Sequence, residues 1–360
     1  MLIFDAHLDL AWNALQWNRD LQHSVYTLRV QESALTGPGR GQGTVAFPEM
    51  RRGRVALCFA TLLVRSTGRP EPHLDFSSTA QAYAQAQGQL AYYHALAEQG
   101  VVDLITNLAE LDDHVSAWQA WEGDEQTSQP SLGLIVSMES ADPIPDAGQL
   151  SAWYAAGVRL IGPAHYGSGR YAGGTATELG FTPEGFALLA EMQRLGIILD
   201  LTHLSDQAFW QALERFDGPL LASHNNCRAL VPNQRQFDDE QLRAMIARGG
   251  VIGAAFDAWM LSPGWVRGVG AAHDNIPVSI AHVVDHIDHI CQLAGDSQHA
   301  AIGSDLDGGF GREQSPTDLD TIADLQRVAE ILSARGYAEA DVAAIMHGNW
   351  LGLLRRAWGK

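Results

Sequence analysis

The chain has 360 residues, 46% of them hydrophobic, enough to bury a large core, and 23 Lys and Arg against 42 Asp and Glu leave a net charge of −19 at pH 7. That excess of acid argues against nucleic acid and anionic membrane surfaces as partners, because both would repel it. No apolar stretch approaches the ~20 residues of a membrane span, and Cys58, Cys227 and Cys291 are too few in so long a chain for a disulfide framework and read as small buried hydrophobes.

The first strand-like run, 2–7, starts almost at once and ends on His7, with Asp9 two residues on. No basic n-region or apolar h-region precedes it, and the C-terminal Arg355-Arg356-Ala357-Trp358-Gly359-Lys360 is no hydrophobic anchor, so a cytoplasmic protein is expected. A long connection is expected from 23 to 47, where Gly and Pro cluster, and then a second strand over 55–61. Polar loops at 67–78 and 123–131 flank the next helical stretch, and a third strand, 132–139, closes on Glu139. The fourth, 158–165, closes on His165 and opens into a glycine-rich loop, 167–177. Thr182-Pro183-Glu184 then reads as an N-cap, a proline at the first helical position and an early acid, with Gly196 as the stop. Strand 197–203 ends on His203, and Ser205 caps a helix carrying Phe209, Trp210 and Leu213. Strand 219–224 ends on His224; Asp238 or Asp239 starts a helix through Leu242, Met245 and Ile246 that Gly249-Gly250 ends. Strands 251–256 and 301–305 complete the set, the last closing on Asp305.

Most of these runs are continuously apolar, the pattern of parallel strands covered on both faces. Strand and helix alternating this way mean a parallel sheet with right-handed crossovers. Eight strands favour closure, so the expected fold is an α/β (β/α)8 TIM barrel, one domain over 1–360, with a site at the C-terminal mouth of the strands.

The chemistry-bearing residues recur at that mouth. In His7-Leu8-Asp9 the side chains i and i+2 of an extended segment point the same way, so they form either a metal pincer or a hydrogen-bonded structural pair. Glu139 ends an apolar strand, where an unpaired carboxylate is costly; it needs a cation, a metal or an ion-pair partner. His203 and His224 arrive on successive strand–helix units at the same height. Asp305 sits among small residues that leave room for a ligand, while Asp307, just before Gly308-Gly309, reads as a turn residue. His165 is either a further ligand or a donor to a carbonyl under attack. Histidines and carboxylates in this mix suit zinc, and five ligands around one shared carboxylate suit two ions better than one. The histidines at 282, 286 and 289 flank the apolar stripe of a helix and read as packing or solvated residues; His347-Gly348-Asn349 reads as a helix break.

Asp5-Ala6-His7-Leu8-Asp9, Gly157 through His165, Gly180-Phe181-Thr182-Pro183-Glu184-Gly185 through His203-Leu204-Ser205, Ser223-His224 followed by Arg235, and Ile302-Gly303-Ser304-Asp305 cover most of the chain. Together they resemble the motifs of the membrane (renal-type) dipeptidases, peptidase family M19. The resemblance implies a barrel hydrolase with two Zn2+ ions, one on His7 and Asp9, the other on His203 and His224, bridged by Glu139 and a hydroxide. It implies that His165 binds the substrate carbonyl, that Arg235 pairs with its terminal carboxylate, and that Asp305 carries the proton from nucleophile to leaving amine. The implied substrate is a dipeptide, including L-Xaa-D-Xaa, and relatives that pair suggest a homodimer. Two departures stand out: Ser140 replaces the family's usual glycine after the bridging glutamate, and the loop from Tyr166 to Thr175 lacks the expected asparagine. The alternatives are an N-acyl-amino-acid deacylase or lactonase on the same metals, and, more remotely, a non-catalytic metal-binding protein.

Overall fold

A computed structural model describes residues 1–121, 129–268 and 275–359. The loop expected over 123–131 therefore lies outside the described residues as far as residue 128. The strands are β1 (Ile3–Leu8), β2 (Val55–Leu63), β3 (Val102–Leu104), β4 (Leu132–Glu139), β5 (Val158–Gly162), β6 (Ile198–Asp200), β7 (Leu220–Leu221), β8 (Ile252–Ala254) and β9 (Ala300–Ile302). All pairings between these strands are parallel. The main sheet runs β1-β2-β4-β5-β6-β7, and β8-β9 form a second ladder. A single parallel bridge, Ala222 to Ile252, carries the ring from β7 to β8. From β9 the Asp305 N–H reaches the His7 carbonyl at 3.3 Å, and Asp5 accepts from both the backbone and the hydroxyl of Ser304. The fold is thus the expected (β/α)8 barrel. The extra strand, β3, pairs only with the start of β4 and stands outside the ring of eight.

The continuously apolar strands divide by alternation into two cores. Inward residues such as Phe4, Phe59, Ile135, Leu160, Ile198, Leu221 and Ala301 pack together and against Trp350 of the C-terminal helix Asn349–Trp358. Phe4 and Phe59 meet edge-on at 5.0 Å between ring centroids, and the Trp350 indole donates to the Ile302 carbonyl, so this helix plugs the ring. Outward residues such as Ile3, Cys58, Ala60, Leu134 and Leu199 join the larger core beneath the helices.

Local sequence sets the helix limits. Thr182 accepts from the Gly185 N–H, Pro183 opens the helix Pro183–Leu195, and Gly196 ends it at φ 73°. Ser205 caps Asp206–Arg215, and Asp238, not Asp239, caps Asp239–Ala247 with a reciprocal bond from Gln241. Two expectations need correction. The connection after β1 contains a helix, Val25–Gln31, capped by Ser24 and seated through Val25 and Leu28. His347-Gly348-Asn349 is not a break: the chain passes through a π-helical turn, Ala344–Gly348, and Asn349 donates to the carbonyls of Ser297 and Ala300.

Candidate metal centre

The candidate residues of the sequence pattern gather at the mouth, most of them past the strands and not on them. His7 is in β1 and Glu139 ends β4, but Asp9, His165, His203, His224 and Asp305 stand one to three residues past their strands. The strands are shorter than the apolar runs, because the last residues of each run peel out of the ladder toward the mouth. Two of these residues carry left-handed backbone, His203 at φ 70° and Asp305 at φ 58°, which non-glycine residues adopt only when the surroundings over-determine them. Ser140 is a third, at φ 71°. That angle explains why glycine is usual there and what the serine must bear.

Glu139 is the hub. Its Oε1 lies 3.2 Å from His203 Nε2, 3.4 Å from His224 Nε2 and 3.6 Å from His165 Nε2, while Oε2 lies 3.5 Å from His7 Nε2. Three ligand groups converge among the described residues: His7, Asp9 and Glu139; Glu139, His203 and His224; and His7, His224 and Asp305. The side chains of His7, His203 and His224 are nearly sealed from solvent.

The imidazole tautomers test whether these groups fit a cation. His203 Nδ1 is 3.0 Å from Thr175 Oγ1, whose own hydroxyl donates to the His203 carbonyl, so Nδ1 carries the proton. His224 Nδ1 meets Ser223 Oγ at 2.8 Å and His7 Nδ1 approaches the same hydroxyl at 3.5 Å. The His203 Nε2 then turns a lone pair inward. The Nε2 atoms of His203 and His224 face one another at 3.1 Å, close to the separation of about 3.3 Å for two imidazoles on one tetrahedral zinc with Zn–N near 2.05 Å. His7 Nε2 is buried with no hydrogen-bond partner. One unpartnered imidazole nitrogen and two more facing each other, all beside the Glu139 carboxylate, fit a metal.

Charge supports this. Burial pulls the His7 pKa down, but Glu139, Asp9 and Asp305 outweigh it and lift the imidazole to about 10; a divalent cation would meet the same field. Burial raises Glu139, yet the surrounding imidazoles, His165 first, hold it well below the usual carboxylate range. Burial also drives His165 down to about 3 despite Glu139, with Arg65 and Arg235 adding to the effect. Asp305 goes the other way: burial raises its carboxyl, His7 opposes, and Asp9 and Glu139 reinforce.

A cavity of about 830 Å³ opens above these groups, bordered by Trp12, Trp17, Leu63, Leu74, Tyr166 and Met260 among others. Arg235 is buried against it; its guanidinium donates to Asn225 Oδ1 and the His224 carbonyl, both at 2.9 Å, and pairs with no carboxylate among the described residues.

Several supporting residues went unseen in the sequence. Asp5 anchors β1 to the segment after β9; its spacing Asp5-x-His7-x-Asp9 on one strand face was the available signal. Thr61 donates to Asp9 and is itself held through its carbonyl by Tyr93. Asp307 does lie in a turn, at φ 60°, but it is also a buried anchor that takes Arg19, Thr44 and Val45. The loop from Tyr166 to Thr175 folds back on itself to deliver Thr175 to His203. Gly174 permits that return, since a Cβ there would stand 1.9 Å from the His165 carbonyl oxygen.

The model of the membrane dipeptidase family, peptidase family M19, matches residues 1–358. The chain belongs to this family. It is accordingly a metal-dependent hydrolase of peptide bonds. An uncharacterised protein from the pqqA 5′ region of Klebsiella pneumoniae is 33% identical over 63% of this chain and 83% of its own length. Dipeptidase tcpJ of Claviceps purpurea (strain 20.1) is 27% identical over 71% of this chain, which spans only 58% of that relative. Among solved structures, a metallo peptidase of Rhodobacter sphaeroides, liganded with a phosphinate mimic of the dipeptide L-Ala-D-Ala, is 25% identical with a TM-score of 0.76, covering 99% of both chains. No helix among the described residues of this family member is long and apolar enough to cross a membrane.

Proposed function

We propose that the protein is a binuclear zinc dipeptidase whose substrates include L-Xaa-D-Xaa. The observation that carries this reading is the division of Glu139: Oε1 serves His203 and His224, and Oε2 serves His7 beside Asp9. One carboxylate facing two ligand pairs is what two bridged ions need. Imidazole and carboxylate donors together suit zinc. The dipeptide mimic held by the Rhodobacter relative supports the substrate class. When bound, the ions supply Lewis acidity, polarising the carbonyl and acidifying the attacking water.

The chain's own residues do the rest. Arg235 offers a planar guanidinium already fixed by two protein oxygens, and it pairs with no acid among the described residues, so it receives the terminal carboxylate of the dipeptide. His165, kept neutral by burial, donates an N–H to the carbonyl oxygen as charge develops there. Asp305 borders both the ligand cluster and the cavity, where it takes a proton from the attacking water and returns it to the leaving amine.

The test is hydrolysis of a dipeptide library by zinc-loaded protein against a chelated control. Cleavage with D-residues accepted at the C-terminal position is expected, and it should vanish with the metal. Turnover of N-acyl amino acids with every dipeptide left intact would replace this reading with a deacylase.

A further inference from the structure

Among the described residues, four arginines border the cavity. Arg40 is paired with Glu32 at 2.9 Å and Arg267 with Asp257 at 3.2 Å, and Arg235 is assigned above to the terminal carboxylate. Arg65 is ion-paired as well, with Glu71 at 2.7 Å and Asp75 at 3.5 Å, but its environment is unusual. It is buried, and its Nε has no hydrogen-bond partner. Asp75 Oδ2 lies 3.5 Å from that nitrogen, within ion-pair range but out of line for a hydrogen bond, and the same oxygen takes the Thr67 hydroxyl at 2.6 Å. The acid that is hydrogen-bonded to it is Glu71, whose Oε2 accepts from Nη2 at 2.7 Å. Glu71 sits on a surface loop with its side chain 59% exposed, so it loses little by swinging back into water. Arg65 lines the cavity, and a planar carboxylate entering there can replace the exposed Glu71 on the guanidinium, taking two of its donors at once.

Ring order places this group relative to the rest of the site. Arg65 follows β2 by two residues and Arg235 follows β7. Around the ring β1, β2, β4, β5, β6, β7, β8, β9, these strands are four steps apart in either direction. The two guanidiniums therefore stand on opposite sides of the mouth, and β5, which delivers His165, lies midway. A dipeptide with its terminal carboxylate on Arg235 and its scissile carbonyl at His165 points its N-terminal residue at Arg65.

We propose that Arg65 is the anion-binding residue for the substrate's N-terminal side chain, and that the enzyme prefers dipeptides beginning with Asp or Glu. The proposal rests on the dipeptidase reading. It is tested by comparing L-Glu-D-Ala with the isosteric L-Gln-D-Ala, and L-Ala-D-Glu with L-Ala-D-Gln, on zinc-loaded protein. A charge-assisted contact predicts kcat/KM about 10- to 100-fold higher for L-Glu-D-Ala than for its amide, carried mainly by KM, with no such gap for the C-terminal pair. In Arg65→Met the Glu-to-Gln ratio should collapse toward one. Wild-type ratios within threefold overturn the proposal while leaving the dipeptidase standing, and that comparison decides the matter even if the variant fails to fold. A ratio that persists in Arg65→Met also overturns it, and failure to cleave any dipeptide removes both readings.

Discussion

Two regions of this chain are rich in histidine, and they use it in opposite ways. At the barrel mouth, His7, His203 and His224 come from three different strands, and their Nε2 atoms converge on one carboxylate. In the helix Ile280–Ala294, three histidines lie within eight residues of sequence, yet each has a private partner. His282 caps the helix start through Ser279, His286 accepts from the Cys227 N–H at 3.0 Å, and His289 pairs with Asp239 at 2.8 Å. Density of histidine in sequence is therefore no guide to a metal. Convergence is, because it leaves several lone pairs aimed at one space with no donor to fill it.

The contrast is open to attack at its strongest point. Asp305→Asn should retain its metal by elemental analysis and lose roughly 10²- to 10⁴-fold in kcat, the scale of a positioned proton carrier. Asparagine tolerates the left-handed backbone at φ 58°, so the fold should survive. Unchanged kcat with full metal content would show that Asp305 holds no proton in the reaction. His165→Leu comes next, with an expected loss of about 10²- to 10³-fold in kcat at unaltered metal content, as for other lost oxyanion donors. If the variant instead releases metal, His165 belongs among the ligands.

The mouth was legible in the sequence for a physical reason. A histidine or acid closing an apolar run is a polar group at the edge of a core, and it must be compensated there. The eight-strand ring was legible because burial on both faces makes every ring strand apolar. What escaped was held by partners distant in sequence. Thr61 and Thr175 are ordinary hydroxyls until folding brings them to Asp9 and His203. Arg65 follows Leu62-Leu63-Val64 and looks like the polar end of a strand; only the cavity marks it out. β3 escaped because three residues, Val102 to Leu104, carry too little pattern, and the helix Val25–Gln31 was masked by the Gly-Pro-rich stretch that follows it.

Thr175→Val sharpens the comparison more gently. The valine keeps the shape but removes the acceptor for His203 Nδ1–H. Metal affinity measured by chelator competition should weaken by about 10- to 100-fold. A matching loss in a His289→Ala variant would erase the distinction between the two regions, since His289 should leave affinity untouched.

The smallest expected effect lies in the second cluster. Burial lowers the pKa of His286 to about 3, with His289 and His282 contributing in the same direction. Its Nδ1 must stay unprotonated to accept from Cys227. Between about pH 6.5, the value for an unfolded chain, and pH 3, the unfolded state binds a proton that the native state refuses. Stability from this group is therefore complete above the upper limit and falls as the solution becomes more acidic, by at most about 1.4 kcal/mol per pH unit. His286→Gln keeps an acceptor and removes the titration, so denaturant unfolding of the variant should show a shallower acid slope than wild type below pH 6.5. Metal loss on acidification affects both proteins alike and cancels in the difference. Parallel slopes would mean that His286 exchanges its proton freely with solvent, and that the second cluster is not the privately bonded set that separates it from the mouth.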